Sequence, residues 1–315
     1  MMHSGSARPR IAILVPCYNE GVTIGKVVRD FKAALPAAAV HVYDNNSRDD
    51  SIAAAIEAGA LVRSVACQGK GNVVRRLFAD VEADIYVLVD GDDTYDAASA
   101  PAMIEALRSS GADTVVGVRR PLDSKLAWRP GHAFGNRMLT GFLGVLFGRP
   151  CRDILSGYRV FTRRFVKSFP VLSAGFEIET ELTVHALELR MAVAEVETPY
   201  GERPEGSVSK LNTIRDGVRI LATIIRLFSA ERPLVFYGVT AAVLLALALV
   251  LALPIVVTYT QTGLVPRFPT AILATGIALL SALSFFSGLI LDTVTRGRRE
   301  LKMLAYLGTG SRPGD

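Results

Sequence analysis

Cysteine is scarce in this sequence: three residues, Cys17, Cys67 and Cys151, occur among 315, and none belongs to a Cys-x-x-Cys pair. A disulfide framework or a structural zinc site needs several cysteines at short spacings, so the sequence disfavours both and suits a reducing compartment. The first ten residues contain no apolar run, and we therefore expect no cleavable signal peptide. The net charge of +5 fits an anionic membrane surface, phosphorylated substrates or nucleic acid.

Charged residues are missing from two long stretches near the C-terminus. None lies between Arg232 and Arg267, and none lies between Arg267 and Asp292. About 20 consecutive apolar residues span the hydrocarbon core of a bilayer. We therefore predict two transmembrane helices, at about residues 234–258 and 270–291 of the segment 234–292. A wholly water-soluble protein and a channel with many spans are excluded.

The flanks of the two predicted spans indicate their orientation. The linker between the spans holds one arginine, whereas the tail, residues 293–315, holds a basic cluster of Arg296, Arg298, Arg299 and Lys302. Basic residues accumulate on the cytoplasmic side of membrane proteins. We therefore expect an integral membrane protein whose N-terminal domain and both chain ends are cytoplasmic.

Residues 213–233, just before the first span, have apolar side chains at helical spacing with arginines beside them. The apolar positions are Ile214, Val218, Leu221, Ile225 and Phe228. Such an amphipathic helix either lies in the lipid headgroup layer or covers the surface of a globular domain. Its position directly before a span favours the membrane.

Residues 11–212 have the pattern of a globular domain that follows a flexible N-terminus, residues 1–10. Four short apolar runs alternate with segments of helical pattern. The runs are Ile11–Val15, Val40–Tyr43, Leu61–Val65 and Ile85–Val89. This alternation predicts an α/β domain with a Rossmann-like, mostly parallel sheet and helices on both faces. Ligands bind at the carboxyl ends of the strands in such sheets, and polar clusters follow the first, second and fourth runs.

Three carboxylates within four residues follow the fourth run, in the segment Asp90-Gly91-Asp92-Asp93-Thr94. Like charges this close repel one another unless a cation or solvent relieves the repulsion. Mg²⁺ and Mn²⁺ take oxygen ligands, often one or two carboxylates together with substrate phosphates. We predict a metal site formed by Asp90, Asp92 and Thr94, where Gly91 lets a ligand approach the backbone. The alternative is a solvated acidic turn.

Two further polar segments stand at predicted strand ends, Val15-Pro16-Cys17-Tyr18-Asn19-Glu20 after the first strand and Asp44 after the second. Together with the Asp-x-Asp motif, these segments resemble glycosyltransferase family 2, whose members have the GT-A fold. The resemblance implies a metal-dependent hexosyltransferase that uses a nucleotide sugar. It implies donor nucleotide-binding roles for Pro16, Tyr18, Asn19, Glu20, Asp44, Lys70, Asp90 and Gly91. Lys70 lies in Gly69-Lys70-Gly71, which either reaches the donor phosphates or forms a simple solvated turn.

Later segments resemble one branch of this family, the dolichyl-phosphate mannose synthases and polyprenyl-phosphate glycosyltransferases. Residues 153–159 read Asp-Ile-Leu-Ser-Gly-Tyr-Arg, and residues 199–210 contain an arginine followed by Gly-Ser-Val-Ser-Lys. The similarity implies a polyprenyl-phosphate acceptor in the membrane. The residues implied to bind its phosphate or the donor diphosphate are Arg119, Asp153, Ser156, Arg159, Arg203, Ser207 and Lys210. Guanidinium groups bind phosphate bidentately and lysine acts as a point charge. Asp92 and Arg159 are the predicted catalytic residues.

The segment Asp44-Asn45-Asn46-Ser47 departs from the family, which commonly reads Asp-Asp-Gly-Ser. The change removes a carboxylate and a glycine near the implied base contact. It favours a UDP-linked sugar, glucose or N-acetylglucosamine, over GDP-mannose, which stays an alternative. Transfer would invert the anomeric carbon, and an acceptor phosphate that is mostly dianionic at pH 7 needs no separate general base.

Other functional classes fit the sequence less well. A processive polysaccharide synthase carries a Gln-x-x-Arg-Trp segment, whereas the single tryptophan here, Trp128, follows Ala127. A membrane-tethered protein that binds nucleotide sugars without transfer stays an alternative. No nucleic acid partner is expected, because the basic residues are not interleaved with aromatic residues in a strip. The oligomeric state is left open, and a homo-oligomer is compatible with the sequence.

Overall fold

The structure is a computed structural model that describes residues 9–121, 141, 144, 152–175, 177–204 and 213–310. The chain forms two compact units. The first contains the residues up to Ile224 together with those from Lys302 onward, and the second contains Ile225–Leu301. Every predicted ligand-binding residue that the structure describes lies in the first unit.

Seven strands form one sheet in the described part of the first unit. They are β1 (Ile11–Cys17), β2 (Ala39–Asp44), β3 (Leu61–Ser64), β4 (Ile85–Leu88), β5 (Thr114–Pro121), β6 (Arg159–Thr162) and β7 (Val193–Tyr200). Their order across the sheet is β3-β2-β1-β4-β6-β5-β7. β6 runs antiparallel to its neighbours β4 and β5, and the remaining pairs are parallel. The predicted mostly parallel sheet is confirmed.

The helices of the first unit follow the strands in the predicted alternation. Six α-helices with described ranges lie wholly in this unit: α1 (Ile24–Ala34), α2 (Ser51–Glu57), α3 (Lys70–Asp80), α4 (Ala100–Ser110), α5 (Arg163–Ser168) and α6 (Ile178–Glu188). In α1 the buried apolar residues recur three or four positions apart, at Ile24, Val27, Val28 and Phe31. This spacing gives a helix one apolar face to pack against a sheet.

The two faces of the sheet carry separate hydrophobic cores, because successive side chains of a strand point to opposite faces. In β1, Ile13 and Val15 belong to the core shared with α1, α2 and α4. Ala12 and Leu14 belong to the core shared with α3, α5 and α6. Helices therefore cover both faces of the sheet, as predicted.

The direction of the strands brings the polar segments to one edge of the sheet. Asp44 at the end of β2 pairs in register with Cys17 at the end of β1, and β4 runs parallel to β1. Because β6 is antiparallel, the residues that precede it, rather than those that follow it, lie at this edge. The segment before Arg159 therefore meets the carboxyl ends of the parallel strands.

The second unit is dominated by two helices, α8 (Pro233–Thr262) and α9 (Phe268–Gly308). Both are long and apolar enough to cross a membrane, which confirms the two predicted candidate spans. α8 continues through Pro254, as the tolerance of membrane helices for proline allows. The two helices meet through small residues, and the Ser281 hydroxyl donates a 2.7 Å hydrogen bond to the carbonyl of Ala241.

The helix α7 (Thr213–Glu231) covers the predicted amphipathic segment. Of the predicted apolar positions, Val218 is 64% exposed and Ile225 is 42% exposed, whereas the neighbouring Ile224 is buried. Two other predicted positions, Leu221 and Phe228, are half-buried. Its location in the headgroup layer stays a prediction.

α9 extends well beyond the predicted end of the second span, and its last turns belong to the first unit. Lys302 forms a 2.6 Å ion pair with Glu188, whose side chain is 1% exposed. The Tyr306 hydroxyl donates a 2.9 Å hydrogen bond to Asp113, and its ring lies beneath the guanidinium of Arg164. The basic tail is therefore partly a packed helix of the first unit.

Candidate active site

The loops after β1 and β2 are joined to each other at the carboxyl edge of the sheet. Asn19 accepts a 2.8 Å hydrogen bond from the backbone N–H of Arg48, and its own N–H donates to the Ser47 hydroxyl at 2.8 Å. The backbone N–H of Glu20 donates to the Ser51 hydroxyl at 2.8 Å. The Asn19 side chain thus shapes the predicted nucleotide site by holding two loops together.

Asp44 is buried at this edge, with 2% of its surface exposed. One carboxylate oxygen, Oδ2, accepts a 3.1 Å hydrogen bond from the backbone N–H of Ser47. The other oxygen, Oδ1, has no hydrogen-bond partner within the described residues. A buried acceptor without a donor is costly, so this oxygen suits a hydroxyl group of a ligand.

Asn45 and Asn46, where the sequence differs from the Asp-Asp-Gly-Ser segment noted above, fit the local backbone. Asn46 has a φ of 65°, the left-handed conformation that glycine adopts freely and asparagine tolerates. The Asn45 side chain donates to the carbonyls of Val65 and Cys67 and accepts from the N–H of Gly69. Asn45 therefore ties the end of β2 to the start of α3.

Asp92 is the most enclosed carboxylate of the Asp-x-Asp motif, with 4% of its surface exposed. Its Oδ1 accepts a 2.6 Å hydrogen bond from the Thr94 hydroxyl, and its Oδ2 forms an ion pair with Arg203. Burial, and then the charge of Asp90, raises the pKa of Asp92, while Arg203 opposes that shift. Two predicted groups, the metal ligand Asp92 and the phosphate ligand Arg203, thus lie in direct contact.

The third carboxylate of the motif, Asp93, points toward the surface residue Lys26. It has a φ of 59° and forms a 2.8 Å ion pair with Lys26. Lys26 is more than half exposed and also pairs with Asp30. Asp93 is therefore held away from Asp92 by a surface contact.

Lys70, the first residue of α3, is enclosed between two carboxylates. Its Nζ lies 2.5 Å from Oδ1 of Asp90 and also contacts Oε1 of Glu179 in α6. Burial acts to lower the pKa of Lys70, but the charges of Asp90 and Glu179 outweigh it and hold that pKa above its ordinary value. Because Lys70 is enclosed by these partners, the solvated-turn alternative for Gly69-Lys70-Gly71 is wrong, and contact of Lys70 with the donor phosphates stays a prediction.

Among the described residues of this region, carboxylates outnumber the cations that contact them. The carboxylates are Glu20, Asp90, Asp92 and Glu179, and the cations are Lys70 and Arg203. Such a balance suits the binding of a cation. Within the described ranges no group of three or more His, Cys, Asp or Glu side chains is arranged to hold a metal ion. A cation here would need phosphate oxygens as further ligands.

Arg119 and Asp153 form a closed pair beside this cluster. Nε and Nη2 of Arg119 each lie 2.7 Å from an oxygen of Asp153, a bidentate arrangement that fixes the guanidinium. The ring of Tyr200 lies 5.5 Å from the Arg119 guanidinium carbon. The Tyr200 backbone is bridged to Tyr95, which follows the Asp-x-Asp motif closely in sequence.

Arg159 and Ser156 are more buried than residues that bind a substrate phosphate are expected to be. Arg159 is 1% exposed and donates to the carbonyls of Ile154 and Ser156 and to the Thr183 hydroxyl, each at 2.9 Å. The Ser156 hydroxyl donates to the Gly117 carbonyl at 2.6 Å. These bonds shape the loop that precedes β6, and the predicted contact with a substrate phosphate stays a prediction.

The structure thus brings together Glu20, Lys70, Asp90, Asp92 and Arg203, and it places Asp44 at the same edge. Tyr18 and Pro16 are half-buried there. Ser207 and Lys210 lie outside the described residues. The predicted roles of all these side chains stay predictions.

Glu179 is the site residue that the sequence analysis missed. It lies in Glu177-Ile178-Glu179-Thr180-Glu181, where acidic residues open a helix and ordinarily complement the helix dipole from the surface. The signal that could have found it is the spread of apolar residues around all sides of α6, which indicates a buried helix, and a carboxylate in a buried helix requires a partner.

The chain is similar to known glycosyltransferases. A profile of the family described as glycosyl transferase family 2 matches residues 12–169. Glycosyltransferase AglJ from Haloferax volcanii is 36% identical over 234 residues, which cover 72% of this chain and 75% of that protein. An undecaprenyl-phosphate mannosyltransferase from Micrococcus luteus is 25% identical over 214 residues, which cover 62% of this chain and 86% of that protein.

A solved structure has a similar fold. The chain matches glucosyl-3-phosphoglycerate synthase from Mycobacterium tuberculosis, crystallised with Mn²⁺, UDP and glucosyl-3-phosphoglycerate, with a TM-score of 0.57 and 22% identity. The match covers 69% of this chain and 79% of that chain. At this level of identity the similarity shows a shared fold.

Proposed function

The chain belongs to glycosyltransferase family 2, and we propose that it transfers a hexose from a nucleotide sugar to a polyprenyl phosphate at the cytoplasmic face of a membrane. The contact of Arg203 with Asp92 carries this proposal. It joins the side chain expected to bind phosphate to the side chain expected to hold the metal. A site for a diphosphate and a second phosphate would use both groups, the carboxylate for a cation and the arginine for phosphate oxygens.

Asp90 and Asp92 would hold a divalent cation, with Thr94 orienting Asp92 through its hydroxyl. The excess of carboxylates among the described side chains and their oxygen donor atoms fit Mg²⁺ or Mn²⁺. When bound, such a cation neutralises charge that develops on a leaving diphosphate. The solved relative of similar fold, described as a complex with Mn²⁺ and UDP, supports this choice of cofactor.

The acceptor phosphate acts as the nucleophile in the proposed reaction. One of its oxygens forms a bond to the anomeric carbon from the face opposite the leaving group. The bond from that carbon to the donor diphosphate breaks, and the nucleoside diphosphate departs with the electron pair. Configuration at the carbon is inverted, and no general base is needed because the phosphate is already mostly dianionic.

The basic side chains bring two anions together in this scheme. Arg203, at 26% exposure, is the more accessible of the described arginines around Asp92, and we assign it to the phosphates. Arg119 and Arg159 are held by Asp153 and by backbone carbonyls, respectively. They position the loop before β6 and the end of β5 for the same anions. Such orientation lowers the barrier by holding the reactants in place.

Oδ1 of Asp44, which has no hydrogen-bond partner in the part of the chain that the structure describes, supports a nucleotide donor, because a ribose hydroxyl would supply that hydrogen bond. We favour a UDP-linked sugar, glucose or N-acetylglucosamine, on the basis of the Asn45-Asn46 sequence. The mannosyltransferase relative supports the second candidate, GDP-mannose, and also supports a polyprenyl-phosphate acceptor. Binding of the nucleotide sugar without transfer is the third candidate.

The two candidate spans and the packed end of α9 support a membrane location with both ends on one side. Lys302 and Tyr306 contact Glu188 and Asp113 of the first unit. The chain that follows the second span would then lie on the same side as the catalytic domain. The basic tail favours the cytoplasm as that side.

A panel of donors and acceptors tests the proposed function. UDP-glucose, UDP-N-acetylglucosamine and GDP-mannose are each incubated with the full-length protein and either undecaprenyl or dolichyl phosphate, with and without EDTA. We expect one donor to label the lipid phosphate in a reaction that EDTA stops. Donor binding with no labelled lipid would instead establish the binding-only candidate.

A further inference from the structure

The buried ion pair of Lys70 and Glu179 reaches the metal site through Asp90. We propose that Glu179 is a positioning residue, which holds Lys70 against Asp90 and thereby sets the geometry and charge with which the site receives a metal and a nucleotide diphosphate. This inference rests on the proposed function and extends it to a residue with no other role there.

The geometry forms a chain of three side chains that starts in α6. Glu179 lies in the first turn of α6, and its side chain is 6% exposed. It contacts Lys70, which is 109 residues earlier in the sequence and whose side chain is 10% exposed. Lys70 in turn contacts Asp90 at 2.5 Å. Asp90 is the most exposed of the three, at 27%, and is the end of the chain that we assign to the metal.

The backbone around this chain leaves little room for movement. A Cβ at Gly69 or Gly71 would lie 2.2 Å from the carbonyl oxygen of Ala174 or Ser173, respectively. The N–H of Gly71 donates to the Ala174 carbonyl at 3.0 Å. Glycine on both sides of Lys70 is therefore required for the start of α3 to meet the loop before α6.

Side chains of α6 and α3 also hold the loop before α6 in place. Glu181 accepts hydrogen bonds from the backbone N–H groups of Leu172 and Ser173, at 2.9 and 2.8 Å. Arg75 donates to the carbonyl of Val171 at 2.9 Å. The contact between Glu179 and Lys70 is thus one of several that join α3 to α6 and to the loop before it.

Asp90 is confined by the same contacts. A Cβ at Gly157 would lie 2.6 Å from Oδ2 of Asp90, so the carboxylate lies closely between the Gly157 backbone and the Lys70 ammonium. Moving Lys70 would release Asp90. Because Glu179 provides the second carboxylate on Lys70, losing its charge would leave the ammonium to Asp90 alone and reduce the negative charge that Asp90 offers to a cation.

Replacing a group that holds a metal ligand in its orientation typically weakens metal binding about 10- to 100-fold. The test is calorimetric titration of the full-length protein in detergent with Mn²⁺ plus UDP, and separately with Mn²⁺ plus GDP. We expect Glu179→Gln to weaken nucleotide binding by about tenfold, and Glu179→Asp, which keeps the charge, to recover part of the loss.

Glu188→Gln is the matched control. Glu188 lies at the other end of α6 and forms the same kind of buried pair, with Lys302, away from the site. We expect this variant to lower the melting temperature and to leave Mn²⁺-dependent nucleotide affinity unchanged. If Glu179→Gln lowers only the melting temperature, as Glu188→Gln does, Glu179 is merely structural and the inference is wrong.

A double substitution shows whether Glu179 acts through Lys70. In a Lys70→Met background, Glu179→Gln should cause no further loss of nucleotide affinity and should restore stability, since it removes an uncompensated carboxylate. An equal loss of affinity in both backgrounds would overturn the inference. Absence of any nucleotide binding by the wild-type protein would instead refute the proposed function itself, so the two failures are distinguishable.

Discussion

Replacing Asp92 by asparagine separates the role of this carboxylate in function from its role in folding. Asparagine keeps an oxygen for the Thr94 hydroxyl and removes the charge that contacts Arg203. Removal of one group that stabilises transition-state charge typically costs about 10²- to 10³-fold in rate. We therefore expect glycosyl transfer by Asp92→Asn to fall by at least that factor, about 3 kcal/mol or more of barrier.

The same substitution should leave the fold nearly unchanged. The lost attraction to Arg203 is offset because burial and the charge of Asp90 already disfavour the ionised form of Asp92, as its raised pKa indicates. The free energy of unfolding should change by about 1 kcal/mol or less in either direction. Stability is measured by thermal unfolding in detergent, next to the transfer rate at saturating Mg²⁺ or Mn²⁺.

The adjacent residue offers the control. Asp93→Asn makes the same chemical change one position along, where the side chain contacts the exposed Lys26. Asparagine also tolerates the φ of 59° found there. We expect near-normal transfer by this variant. Near-normal transfer by Asp92→Asn, or an equal loss in Asp93→Asn, would refute the assignment of Asp92.

Three further predictions concern the buried polar groups of the first unit. The lysine of Arg159→Lys cannot make all the hydrogen bonds that the guanidinium donates to carbonyl and hydroxyl groups. We therefore expect the free energy of unfolding, measured by thermal or chemical denaturation, to fall by about 2–3 kcal/mol. Full stability with a selective loss of acceptor use would instead assign Arg159 to the lipid phosphate. Burial lowers the pKa of His185 from 6.5 to about 3. The unfolded chain therefore takes up a proton below pH 6.5 that the folded chain does not, and His185 should reduce stability by ~1.4 kcal/mol per pH unit between those values. His185→Gln should flatten the melting profile between pH 7.5 and 5, and an unchanged profile would contradict the prediction. Lys302→Met leaves the carboxylate of Glu188 buried without its cation, which should destabilise the first unit by about 3 kcal/mol; an unchanged melting temperature would show that the end of α9 contributes nothing to that unit.

Much of the fold follows from local pattern. Strands and helices of the first unit alternate in the sequence as clearly as in the structure, and the Asp-x-Asp segment, Asp44 and Glu20 all stand directly at strand ends. Carboxyl ends of neighbouring parallel strands share one edge. Their convergence could therefore be predicted before any contact was known.

Other features depend on long-range packing that a local pattern does not contain. The antiparallel direction of β6 decides that the segment before Arg159 lies at the site, and nothing in its four residues specifies that direction. The pairing of Glu179 with Lys70 joins residues 109 positions apart. The predicted span ends where the apolar run ends. The helix α9 continues to Gly308, and its last turns contact the first unit through the hydrogen bond of Tyr306 to Asp113.

The most direct test of the proposed function compares undecaprenyl phosphate with undecaprenol as acceptors. Full-length protein, Mn²⁺ and a labelled nucleotide sugar are incubated with each lipid, and the extracted lipid product is analysed. We predict label in the phosphate-containing lipid alone, joined through a phosphodiester with inverted anomeric configuration and released by mild acid. Label on undecaprenol, retention of configuration, or transfer to sugar hydroxyls in place of the lipid phosphate would contradict the proposal.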